Sequence, residues 1–129
     1  MPRRLFTREE AQALLPRLTE LLTALQAQQQ ERVTALQARS RSNGHQSLNE
    51  GDEIRAEVVR LGAALVERVR SIHALGVLLK DPDSGLIDFP ALRDGREVYL
   101  CWRLGEGERI GWWHEVEAGF AGRQPIGEW

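Results

Sequence analysis

The chain has one cysteine, one lysine and no apolar run long enough to cross a bilayer. A single cysteine excludes an internal disulfide, so nothing calls for an oxidising compartment. A membrane-spanning helix needs about 20 consecutive apolar residues, and no segment approaches that. The opening "MPRRLFTREE" is cationic but has no apolar stretch behind it, so it does not read as a signal peptide. Cationic surplus is missing as well: 17 basic side chains face 19 acidic ones, for a net charge of −2. A nucleic-acid surface normally needs a clear basic excess, so the balance speaks against one. There is no GxSxG, HExxH, P-loop or dinucleotide-binding fingerprint. The expected setting is the cytoplasm, with neither membrane nor nucleic acid as partner.

What is present suits one globular domain spanning 1–129. Hydrophobic residues make up 42% and charged residues 28% of 129 positions. That length buries a core without metal or disulfide staples. Lys80 is the lone lysine among the basic residues; the other cations are arginines. This is the bias of a GC-rich genome, although arginine also suits bidentate ion pairs.

The first half reads as a helical hairpin over 7–76. "TREE" at Thr7–Glu10 is a capping box. Leu14, Leu18, Leu21 and Leu25 recur at spacings of four and three, and Leu15, Leu22, Val33 and Leu36 broaden the stripe. Pro16 should bend this helix or split off a short first one, because it removes a donor and crowds the preceding turn. Residues 38–51 are polar and without period, so a loop is expected there, with His45 solvated in it. A second stripe, Ile54, Val58, Leu61, Leu65, Val69 and Ile72, starts near Asp52 and ends at Gly76 as C-cap. His73 should pack or cap. Helices of this length run about 40 Å. A short sheet cannot cover them, so the leftover stripe predicts a homodimer.

After a turn-rich connector at 78–85, the period changes to two. "LIDFPA", "EVYLCWRL" and "RIGWWHEV" read as three strands. Asp94-Gly95 is a strong hairpin signal between the first two. A two-residue turn there pairs Ala91 with Val98, Phe89 with Leu100 and Ile87 with Trp102, all apolar. It also sets Asp88 opposite Cys101. For the second hairpin, Gly105–Glu108 as a four-residue loop pairs Leu104 with Arg109, Cys101 with Trp112 and Tyr99 with His114. The core face is then Ile87, Phe89, Ala91, Val98, Leu100, Trp102 and Trp113. The other face carries Asp88, Tyr99, Cys101, Arg103, Trp112 and His114, with Cys101 and His114 as diagonal neighbours about 7–8 Å apart at Cα.

Three chemistries fit that second face. Asp88, Cys101 and His114 could ligate a divalent transition metal and leave one position open. Cys101 could act as a nucleophile activated by His114, with Arg103 or Arg123 holding an anionic substrate. Alternatively the residues form a plain polar network, with an Asp88–Arg103 ion pair and a Tyr99–His114 hydrogen bond. "DPDSG" at 81–85 lacks the oxygen ligands of a calcium loop and reads as an Asx-type turn. The glycines of "GFAGRQP" can expose amides to an anion, but the lysine and hydroxyl of a P-loop are missing.

At "GVLLKDPDSGLIDFP", "GREVYLCWRLGE" and "WHEVEAGFAGRQP", and again at "FTREEAQALLPRL", the chain resembles a bacterial and archaeal family known as domain of unknown function 2203. The matching positions include Lys80, Asp88, Cys101, Glu106, His114 and Arg123. The resemblance implies a shared site and adds Glu106 and Arg123 to it, but it implies no reaction.

The sequence therefore predicts an α+β domain: a long antiparallel helical hairpin on a three-stranded antiparallel meander, with a glycine-rich C-terminal tail. The expected function is binding. A small polar pocket would hold an anionic small molecule through Asp88, Arg103, Glu106 and Arg123, or a metal through Asp88, Cys101 and His114. A hydrolase using Cys101 or a bound metal is the alternative from another class. A helical adaptor with no small-molecule site is the third.

Overall fold

Helix α1 spans Arg8–Arg41 and α2 spans Leu48–Ala74 in the computed structural model, which describes residues 4–41, 48–127 and 129. The capping box forms as the sequence dictates. The Glu10 amide donates to Thr7 Oγ1 at 3.1 Å, and the Thr7 amide donates to Glu10 Oε1 at 2.9 Å. Pro16 does not split α1. An interior proline costs about 3 kcal/mol. Its neighbours Leu15 and Leu18 are buried against the sheet. Each such leucine contributes about 1.5–3 kcal/mol, enough to hold the two halves in one helix.

Helix occupies 38–41 and 48–51 of the stretch expected as a loop. Helix continues to Arg41 and resumes at Leu48, ahead of Asp52. Alanine, glutamine, glutamate and arginine propagate a helix without an apolar stripe, so polarity alone does not mark its end. His45 lies outside the described residues. The helices run antiparallel: Arg68 Nε donates to Gln28 Oε1 at 3.2 Å, while Arg32 lies against Gly62. Gly76 ends the hairpin with φ +88°, and a side chain there would crowd Arg4 at 3.1 Å. His73 ties the end of α2 to β1, its Nε2 accepting from the Leu79 amide at 3.4 Å.

The sheet has five strands, not three, in the order β1 (Leu78–Asp81), β2 (Leu86–Arg93), β3 (Arg96–Arg103), β4 (Trp112–Glu115), β5 (Gln124–Pro125). All neighbours are antiparallel. Two strands were missed because they are short: β1 has four residues inside the expected connector, and β5 two inside the expected tail. A period-two pattern needs more residues than that to register. Asp81 organises the turn after β1, accepting from the Asp83 amide at 3.2 Å and the Ser84 hydroxyl at 2.7 Å.

Between β2 and β3 the register is the predicted one, from Arg93 opposite Arg96 to Asp88 opposite Cys101. Asp94 and Gly95 both take positive φ, 52° and 76°, the requirement of the tight turn. Between β3 and β4 the pairs Tyr99–His114, Leu100–Trp113 and Cys101–Trp112 also stand as predicted. The connecting loop, however, runs over 104–111 and not 105–108, so Leu104 and Arg109 do not pair. Eight residues have the same parity as four. The faces are unchanged.

The helices lie on one face of the sheet. Leu15, Leu18, Leu22 and Leu25 of α1 and Ile72 of α2 join Ile87, Phe89, Val98, Leu100, Trp102 and Trp113 in one core. Beyond Leu25 the cover stops, and Val33 and Leu36 are exposed.

Candidate metal and ligand site

Alternation along β2, β3 and β4 sends Asp88, Cys101 and His114 to the face away from the helices. They are nevertheless buried: 2%, 0% and 2% exposed. Asp88 and His114 sit on strands separated by β3, about 10 Å apart at two strand spacings. Their side chains meet over β3, with His114 Nε2 at 3.0 and 3.1 Å from the two Asp88 oxygens. One ligand atom from each of Asp88, Cys101 and His114 lies within 4.8 Å of the others.

The proton positions on His114 follow from its partners. Nδ1 is 2.7 Å from the Glu115 carbonyl oxygen, which can only accept, so Nδ1 carries a proton. Nε2 faces the Asp88 carboxylate. With a second proton there, the pair is an imidazolium–carboxylate ion pair. Without it two acceptors confront each other unless the carboxyl carries the proton or a cation lies between them. Anchoring one ring nitrogen on a backbone carbonyl is how proteins orient a histidine whose other nitrogen binds metal. The expected Tyr99–His114 hydrogen bond is replaced by an edge-to-face ring contact at 5.5 Å.

Burial and the Asp88 carboxylate push the Cys101 thiol up to about 12, against an opposing pull from Arg123. At neutral pH the metal-free side chain is therefore a thiol, which weakens the nucleophile reading. A bound divalent cation reverses that by deprotonating the sulfur it holds.

Lys80 joins the cluster. Leu78 pairs with Asp88, and Lys80 is the extra residue where the β1–β2 register shifts between Leu79 and Asp81. Its Nζ is 4.0 Å from Asp88 Oδ2 and 5.0 Å from the centre of the Tyr99 ring. Sequence reasoning missed this role because β1 was not recognised as a strand. The available signal was the lone lysine among arginines.

Arg103, Glu106 and Arg123 sit to one side. Arg123 forms a bidentate pair with Glu106, at 2.8 and 2.6 Å, and reaches the Cys101 carbonyl at 3.4 Å. Its guanidinium lies between the rings of Trp112 and Phe120, at 4.9 and 4.8 Å. Phe120 belongs to a short 3-10 turn, Phe120–Gly122. Burial alone would raise the Glu106 carboxyl, but Arg123 and the Arg103 amide hydrogen-bond it and hold it below its ordinary value. The pair clamps the 104–111 loop to the C-terminal segment. Arg103 does not pair with Asp88; it is exposed and stacks on Phe120 at 5.2 Å. A groove of about 700 Å³ between α1 and the 104–111 loop is lined by Leu15, Pro16 and Trp102. Trp102 belongs to the opposite sheet face from the cluster, so the groove is not this site.

Nitrogen, sulfur and oxygen donors in one buried cluster make a mixed set suited to a zinc-like ion. With bonds of about 2.0–2.3 Å, tetrahedral donors lie about 3.3–3.8 Å apart, so the cluster closes on an ion through shifts of about 1 Å.

Fold and cluster thus define a class: two helices on one face of a five-stranded antiparallel sheet, with a sealed Asp–Cys–His cluster on the other. The chain belongs to the family described as Uncharacterized conserved protein (DUF2203), whose model matches residues 4–126. No curated protein and no solved structure matches it.

Proposed function

We propose that the protein binds one divalent transition-metal ion through Asp88, Cys101 and His114. The supporting observation is the convergence of three potential ligands in one buried cluster, with the His114 ring anchored through Nδ1 on the Glu115 carbonyl. The hydrolase that uses Cys101 as nucleophile loses ground to this reading, because a thiol held near 12 has no thiolate to offer. Arg123 already spends both terminal nitrogens on Glu106, with its buried Nε left without a partner, which favours the metal over an anion bound through this pair. A reduced, lone thiol ligand fits a cytoplasmic setting. Among the described residues no helix is long and apolar enough to cross a membrane.

The test is titration of chelator-treated, untagged protein with Co²⁺. The expected result is about one equivalent per chain with a sulfur-to-cobalt charge-transfer band, lost in Cys101→Ala and His114→Ala. Uptake below about a tenth of an equivalent, without that band, sinks the reading.

The helical hairpin supports a second element, a homodimer. Leu36 lies about five turns beyond Leu18 and so on the same line of α1. Leu18 is buried against the sheet while Leu36, Val33, Val59 and Val66 are 39%, 44%, 67% and 51% exposed. The stripe outruns the sheet, and a second copy supplies the matching apolar surface. Light scattering should give a dimer mass, and Leu36→Ser with Val59→Ser a monomer; a wild-type monomer at high concentration refutes it.

A further inference from the structure

Charge in the cluster changes sign of need when an ion binds, and Lys80 is where the change shows. In the metal-free protein the Lys80 ammonium lies 4.0 Å from Asp88 Oδ2 and serves as a counter-charge to that carboxylate. An ion held by Asp88, the Cys101 thiolate and neutral His114 has its two charges cancelled by the two anionic ligands. Arg123 remains neutralised by Glu106. The Lys80 ammonium is then left without a counter-charge, beside an ion that has only three protein ligands. Lys80 is also the cluster's most solvent-facing member, with a side chain 42% exposed where Asp88 is 2% exposed.

The residue type fits that position. Every other basic side chain in the protein is arginine, so the one ammonium stands where a compact point charge on a flexible stem is needed. A guanidinium at the same place would offer a planar fork in place of a charge that can pivot from Asp88 to an incoming group.

We propose that the metal-loaded site takes a small oxyanion, a carboxylate or a phosphate, as its fourth ligand, and that Lys80 is the residue that binds it. This rests on the metal reading above. It assigns the open coordination position a ligand class and moves the anion-binding role from Arg103 and Arg123 to Lys80.

The experiment uses full-length Co²⁺-loaded protein, titrated in separate arms with sodium acetate and sodium phosphate at constant ionic strength set by perchlorate. The visible cobalt bands should shift saturably in at least one arm, which also identifies the preferred anion. Lys80→Met should bind Co²⁺ at least as tightly as wild type, because a competing cation is gone, yet bind the anion at least about tenfold more weakly. Lys80→Arg, which keeps the charge but not the pivoting ammonium, should bind the anion more weakly than wild type and more tightly than Lys80→Met. If cobalt binds normally but neither anion shifts the bands, or if Lys80→Met binds the anion as well as wild type, the proposal is overturned and the metal site stands. If Lys80→Met loses cobalt, Lys80 supports the ion and not an anion, which also overturns it. If the wild type takes up no cobalt, the proposal fails together with the metal site beneath it.

Discussion

Strand β3 carries both faces of the sheet in eight residues. Val98, Leu100 and Trp102 point to the helices, Tyr99 and Cys101 away from them, and none is more than 5% exposed. On the helix side, burial follows from apolar area, since leucines of α1 lie over Ile87, Phe89 and Trp102. On the other side the described residues supply no layer of α-helix. An antiparallel sheet in that position usually leaves its second face to water. Here Lys80 reaches Asp88 and the Tyr99 ring, and Arg123 lies over Trp112 beside Cys101, while Asp88 and His114 are each 2% exposed. Burying such groups costs free energy unless they are paired, so this face adds little to stability compared with an apolar one. The comparison teaches that apolar area explains burial on the helix side, while on the polar side it is the pairing of Asp88 with His114 that makes burial tolerable.

Substitutions can break that comparison, and the largest effect belongs to the apolar face. Trp102→Ala should cost about 3–5 kcal/mol in urea unfolding, with cobalt stoichiometry unchanged in the protein that remains folded. Asp88→Ala should cost about 3 kcal/mol by leaving His114 buried without its partner, and should also abolish cobalt binding. If Asp88→Leu with His114→Leu recovers most of that stability, the fold does not need the polar pair. Cys101→Ala should cost only about 1–2 kcal/mol while weakening cobalt about 100-fold. In the metal-free wild type, Cys101 should resist thiol reagents until the pH approaches 12, whereas the unfolded chain deprotonates near 9.0. The raised folded value sets the sign: the contribution to stability is complete below 9.0 and is lost as the pH climbs through about 12.

Glu106→Gln tests the clamp and should cost about 1 kcal/mol. The lowered Glu106 value means its contribution is present above the ordinary carboxylate value of 4.5 and disappears as the pH falls through the folded value. Wild-type stability should therefore drop in that acidic window more steeply than that of the variant, as followed by circular dichroism. The smallest effect is Val59→Ser, within about 0.5 kcal/mol for the monomer, because the side chain is 67% exposed. A larger effect that grows with protein concentration would place Val59 in the dimer contact.

Much of this was legible in the sequence where the signal is local. The Asp94-Gly95 turn and the apolar pairs around it dictated the β2–β3 register, and the alternation around "WWHEV" put Cys101 and His114 on one face. Pro16 does not split α1 because its cost is local while the burial of Leu15 and Leu18 that outweighs it is tertiary. β1 escaped because four residues carry too little pattern, and Lys80 escaped with it. Arg103 was drawn toward Asp88 by shared parity alone, yet it stacks on Phe120.

The sequence by itself determined the periods, the turn chemistry and hence which residues share a face. Those follow from backbone geometry, which repeats every two or 3.6 residues and is set by neighbours in the chain. Only the tertiary structure decided that the polar face is closed, that Asp88 reaches His114 across an intervening strand, and that Lys80 rather than Arg103 answers Asp88. Such contacts depend on distances between segments remote in sequence, and no local period encodes them.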